Sequence, residues 1–111
     1  MTQNRNQLIE HLIGNLSNYI IHSILEKSNT QYKEKYAKEG LTIFEISKKY
    51  REKINPLNNP FPITDIKYIK DKITKRATAE LSLRIFKGYK DIDLSLINLE
   101  IDKILKNLNI T

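Results

Sequence analysis

Apolar residues that return every three or four positions constrain this chain more than any other feature. Leu8, Ile9, Leu12, Ile13, Leu16, Tyr19, Ile20 and Ile24 fall at such steps. On a helix of 3.6 residues per turn they gather into one broad stripe, with Asn and Ser on the opposite side. The spacing predicts a first helix over 4–27. Ile21 and Leu25 fall outside the stripe, which gives the C-terminal half of that helix a second surface to touch. The same period returns in Ile66, Ile69, Ile73 and Ala77, and again in Leu94, Ile97, Ile101, Ile104, Leu105 and Leu108.

Local signals divide the rest. A short, highly charged helix over 30–39 carries Tyr32 and Tyr36 and closes at Gly40, a residue that readily supplies a left-handed terminator. Thr42 and Glu45 have capping-box spacing, and Leu41 and Ile46 stand where a hydrophobic staple would be. A helix over 42–53 is expected there, burying Ile43, Ile46 and Tyr50. Pro56, Pro60 and Pro62 then break the chain into a rigid loop. A helix over 64–87 follows, capped by Thr64 and stopped by Gly88. Past Ala77 it is apolar on two sides, Leu81 and Ile85 on one and Leu83 and Phe86 on the other. That pattern predicts a helix surrounded by others, at the centre of the core. The last helix, over 95–109, has Asp91, Asp93 and Ser95 as candidate caps. At 111 residues the chain has the length of one domain. The expected fold is all-α: a single domain over 1–111, an irregular bundle of four main helices plus the short one.

Bulk properties narrow the setting. With no cysteine, disulfides and thiolate metal sites are ruled out. The N-terminus lacks the continuous apolar stretch of a signal peptide, and nothing approaches a membrane span. A cytoplasmic protein with no membrane partner is expected. The net charge of +6 is a mild hint of an anionic partner, since a chain crowded with Ile, Lys and Asn also reflects AT-rich codon supply.

Readable chemistry is sparse. His11 and His22 share a helix face but stand roughly 16 Å apart along the axis, too far to hold one metal ion. Asp91, Asp93, Ser95 and Asp102 imitate a calcium loop, yet Leu96 replaces the glycine needed at its sixth position. Gly14, Gly40 and Gly88 are scattered, so no phosphate-binding loop exists. Serine and histidine pair only where helix geometry explains both. No catalytic residue, cofactor or metal is assigned, and the chain is read as a non-enzyme.

Charge is unevenly placed. Residues 1–30 carry a net 0, 31–53 +3, 54–90 +5 and 91–111 −2. Within the basic middle, Lys67, Lys72, Lys75, Arg76, Lys87 and Lys90 are candidate phosphate contacts, with tyrosines nearby. On a helix the residues from Lys67 to Arg76 spread around the exposed circumference, as solvated faces do. Residues 40–50, GLTIFEISKKY, resemble the first half of a helix-turn-helix, which would place a recognition helix near Ile66 and make 41–76 a nucleic-acid-binding segment. The intervening proline loop is much longer than the usual turn of 3–4 residues. The leading expectation is a non-catalytic interaction protein, a homodimer or part of a small assembly. Its self-association surface would be the first helix, through Leu8, Leu12, Leu16, Tyr19 and Ile20.

Overall fold

The computed structural model describes residues 4–28, 31–56 and 59–111. They form an all-α bundle of four helices, α1 (Arg5–Lys27), α2 (Lys33–Ile54), α3 (Ile63–Phe86) and α4 (Leu96–Asn107). Asn4 opens α1 with a capping box. Its side chain accepts from the Gln7 N–H at 2.8 Å, and the Gln7 side chain accepts from the Asn4 N–H at 3.2 Å. The apolar stripe that follows makes α1 the central helix: Leu12, Ile13, Leu16 and Ile20 have no exposed surface. Ile21 and Leu25, outside the stripe, are buried as well.

Around α1 the other helices take separate sides. Antiparallel to it runs α2, with His11 beside Tyr50, Tyr19 beside Phe44 and His22 beside Tyr36. Parallel to it runs α3, with Arg5 on Asp65 near one end and Glu10 on Arg76 further along. α4 packs on both α1 and α3. The buried Glu100 carboxylate accepts from Ser23 and Lys27 of α1, while Asp102 pairs with Lys70 of α3 at 2.9 Å. α2 packs on no helix except α1.

Two features depart from the expectations. The helices predicted over 30–39 and 42–53 are one; the first residue of that range, Thr30, lies outside the described residues. Gly40 stays helical inside α2 and is buried, and Thr42 bonds back to the Lys38 carbonyl instead of capping. The reason is tertiary. Ala37, Gly40, Phe44, Ser47, Arg51 and Ile54 recur at alternating steps of three and four, and all six are buried or half-buried. Packing that whole stripe on α1 outweighs the roughly 1 kcal/mol that a helical glycine costs. Ile46, expected inside, is exposed. The second departure is in α3. Its C-terminal part is not the core centre, because Leu83, Ile85 and Phe86 are all exposed beyond Leu81. α3 also begins at Ile63 with no side-chain cap, one residue ahead of the predicted Thr64.

Two helices end on left-handed residues. Gly88, at φ 100°, closes α3 as the Gly88 and Tyr89 N–H groups donate to the Ile85 and Arg84 carbonyls, both at 3.0 Å. Asn109, at φ 56°, closes α4 in the same pattern, donating to Lys106 at 2.9 Å while Ile110 donates to Leu105 at 2.8 Å. That turn places the buried Ile110 so that its carbonyl accepts from the Phe61 N–H at 2.9 Å, joining the proline loop to the C-terminal tail.

Arg51 locks this junction. Its side chain is buried, and the guanidinium donates to four backbone carbonyls at 2.7 Å each: Leu108 and Asn109 at the end of α4, Asn55 at the end of α2 and Asn59 in the loop. The Phe61 ring lies 5.2 Å from its carbon. Burial pulls the guanidinium below its ordinary value, with Glu52 opposing, yet arginine stays charged at any physiological pH. Two helix C-termini, each with partial negative charge, are therefore served by one cation.

Arg51→Met is expected to cost about 3 kcal/mol or more by leaving buried carbonyls unpaired. Arg51→Lys should restore little, since one ammonium cannot span four acceptors. Urea unfolding together with amide exchange at Phe61 and Ile110 measures both. Gly40→Ala should stabilise by about 0.5–1 kcal/mol, because nothing lies within 4 Å of the added Cβ. Gly88→Ala should destabilise by about 1 kcal/mol through its left-handed backbone; shifts of the urea midpoint in opposite directions are the expected result.

Candidate functional site

Because α2 and α3 flank α1 without meeting, part of α1 lies open between them. Gly14 and Asn18 fall opposite the Leu16–Ile20 stripe on the helix wheel, and with Asn15 and Ile21 they help floor a groove of ≈ 500 Å³. His11 and His22 line it from α1, and Arg76, Glu80 and Arg84 from α3. The last three stand one turn apart, so α3 presents positive, negative and positive charge in succession.

Each charge is held in place. Glu10 accepts from the Tyr68 hydroxyl and, at 3.4 Å, from Arg76. The Tyr68 phenol is raised above its ordinary value, first by this hydrogen bond. Arg84 Nε donates to Glu80 at 3.1 Å, and its guanidinium lies 5.5 Å from the Tyr89 ring centre. His22 has its Nδ1 2.7 Å from the Asn18 carbonyl and its Nε2 2.7 Å from Glu39 of α2. Both partners are acceptors, so both contacts are hydrogen bonds only when the imidazole carries two protons. His22 thereby ties α2 to α1 beside the groove.

A second feature adjoins the first. Arg76, Ala79, Leu83 and Phe86 follow steps of three and four along α3, the spacing of a helix-packing seam. All four are exposed, Phe86 at 88% and Leu83 at 44%. Arg76 turns to Glu10 at one end of this seam, while Phe86 at the other end is left open. Ile85 and Tyr89 are exposed at the same end of the helix.

The residues singled out from sequence are distributed differently. Leu8, Leu12, Leu16 and Ile20 are core residues, and Tyr19 is half-buried against Phe44. The apolar face expected to meet a second copy is covered by the chain's own helices, so self-association cannot use it without unfolding. Among the basic candidates, Lys67, Lys75, Lys87 and Lys90 are exposed and form no ion pair with described residues. Lys72 leans 5.6 Å over the Tyr68 ring, and Arg76 turns to Glu10. The six do not converge on one patch. The helix-turn-helix reading of 41–76 fails in geometry: residues 41–54 are part of α2, which does not touch α3, whereas that motif needs its two helices packed together. Among the described residues no three potential ligands converge for a metal ion, and Asp93 is bonded to Ser95. Sequence reasoning missed Arg51, Arg84 and the His22–Glu39 pair. The one signal available was Arg51 itself, a charge standing at a seam position of α2.

Compared with family models, with curated proteins and with solved structures, the chain matches none. No helix is long and apolar enough to cross a membrane among the described residues.

Tyr19 supplies a test of the α1–α2 contact. Burial, and secondarily Glu26, raises its phenol above the ordinary 10.0. A raised phenol contributes stability that is fully present below the unfolded value of about 10 and is lost as pH rises through the folded value. Tyr19→Phe should therefore unfold at a urea midpoint that falls less between about pH 9 and pH 11 than that of the parent chain.

Proposed function

We propose that this protein is a non-catalytic interaction module that self-associates through the open seam of α3. The observation that carries the reading is Phe86, 88% exposed and in line with the exposed Leu83 on one helix face. Large apolar side chains grouped at one end of a folded chain mark a contact surface more often than scattered ones do. The seam also suits a second copy. Lys87 and Lys90 lie on one side of the apolar group in sequence order, with Asp91 just beyond. In a two-fold contact, residues of opposite sign on the two copies can face each other. Four exposed side chains make a small interface, so association should be concentration-dependent. The reading places the protein in the cytoplasm, in keeping with a cysteine-free chain.

Light scattering after size exclusion tests it. A mass rising toward the dimer is expected at high micromolar concentration, and Phe86→Asp should abolish the rise with the helical content intact. Phe86→Ala should weaken association at least about tenfold, from the burial energy of one aromatic side chain. A monomer throughout would end the proposal. Nucleic-acid binding is the second reading, favoured by the four exposed lysines without carboxylate partners, Lys67, Lys75, Lys87 and Lys90. Labelled duplex DNA, run through size exclusion with the protein at low salt, would then co-elute with it and be released by salt.

A further inference from the structure

The α1–α3 groove adjoins the self-association seam and shares Arg76 with it, but its own chemistry points to a small molecule. Its two arginines are each oriented by a carboxylate and each keep donors in reserve. Arg84 uses Nε on Glu80, and its guanidinium lies over the Tyr89 ring; its two Nη groups have no hydrogen-bond partner among the described residues. An oriented guanidinium with a free edge takes a carboxylate through two parallel bonds. Among the described residues Glu80 accepts on one oxygen, leaving the other for a donor. Arg76 lies across Gly14, where an added Cβ would stand 3.8 Å from Nη1, and its single bond to Glu10 is long at 3.4 Å. On the floor, Asn15 donates to the His11 carbonyl and keeps its own oxygen, and the exposed Asn18 amide makes no hydrogen bond among the described residues.

The pairing of signs selects among ligands. A dianion would meet Arg76 and Arg84 but also Glu10 and Glu80. A dication would meet the same conflict reversed. A molecule carrying one carboxylate and one ammonium satisfies both kinds of free atom, the carboxylate on Arg84 and the ammonium on the open oxygen of Glu80. The groove's ≈ 500 Å³ lies within the range of about 300–1,000 Å³ for small-molecule sites, and its asparagines match the amide of a peptide bond. We propose that the groove binds a small zwitterion of dipeptide size through Arg84, Glu80 and Asn18.

The full-length chain, 15N-labelled, would be titrated with alanyl-alanine, with succinate and with putrescine, following backbone amides and the arginine Nε–H signals. Saturable shifts at Gly14, Asn18 and Arg84 with alanyl-alanine are expected, with a Kd below about 1 mM. Succinate and putrescine should each bind at least about tenfold more weakly, because each leaves one sign unmatched. Arg84→Gln and Glu80→Gln should each weaken dipeptide binding about tenfold while leaving the remaining amide spectrum in place. Both side chains are partly exposed, so neither change threatens folding. Absence of saturable shifts at about 10 mM, succinate or putrescine binding as well as the dipeptide, or binding indifferent to both variants would each overturn the assignment.

Discussion

A buried guanidinium whose hydrogen bonds go to backbone carbonyls holds the ends of this bundle together. Helices α2 and α4 finish close to each other, and each ends with carbonyl groups that no further turn can satisfy. Arg51 reaches those of both helices, and it also takes Asn59 from the proline loop. A planar group with five donors in fixed directions can do this; a hydrophobic residue would leave the carbonyls unpaired, and a lysine would satisfy only some of them. The loop that joins α2 to α3 and the tail that follows α4 are thereby positioned against each other, with Phe61 packed on the guanidinium. The direction in which α3 leaves the loop depends on this junction.

From that direction follows the open side of the molecule. α3 returns parallel to α1 and takes the side away from α2, while α4 covers α1 and α3 together. One part of α1 is left between two helices that do not meet, and polar residues floor it: Asn15, Asn18 and a glycine. The far end of α3 extends past the last buried residue, Leu81, and carries Leu83 and Phe86 into solvent. An elongated shape, 42 × 26 × 25 Å, is the consequence. The groove and the apolar seam thus have one cause, the asymmetric placement of three helices about a fourth.

Periodicity made α1, α3 and α4 legible, because each buries a stripe whose spacing is that of the helix itself. Gly88 was legible as a terminator for an equally local reason: it takes a left-handed backbone that other residues resist. Signals failed where local and tertiary preferences disagree. The Thr42–Glu45 capping box is a sound local signal, yet α2 runs through it, since a continuous stripe from Ala37 to Ile54 gains more from packing than a cap would supply. Leu83 and Phe86 show the converse error. Apolar side chains on a second helix face are compatible with burial and with an open contact surface alike, and sequence spacing does not distinguish the two.

The sequence by itself determined that this chain is all-α, where most helices start and stop, and that no thiol or phosphate-loop chemistry is present. Those properties depend on residue types and on spacings within a few turns. Only the tertiary structure decided that Leu12, Leu16 and Ile20 face the chain's own core rather than a partner, and that Arg51 serves four carbonyls. It also decided that Arg76, Glu80 and Arg84 face Gly14 and Asn18 across a groove. These are meetings of residues far apart along the chain, set by which side of α1 each helix occupies. A helix wheel assigns a residue to a face, but the neighbour that covers the face, or leaves it open, is chosen by the packing of the whole bundle.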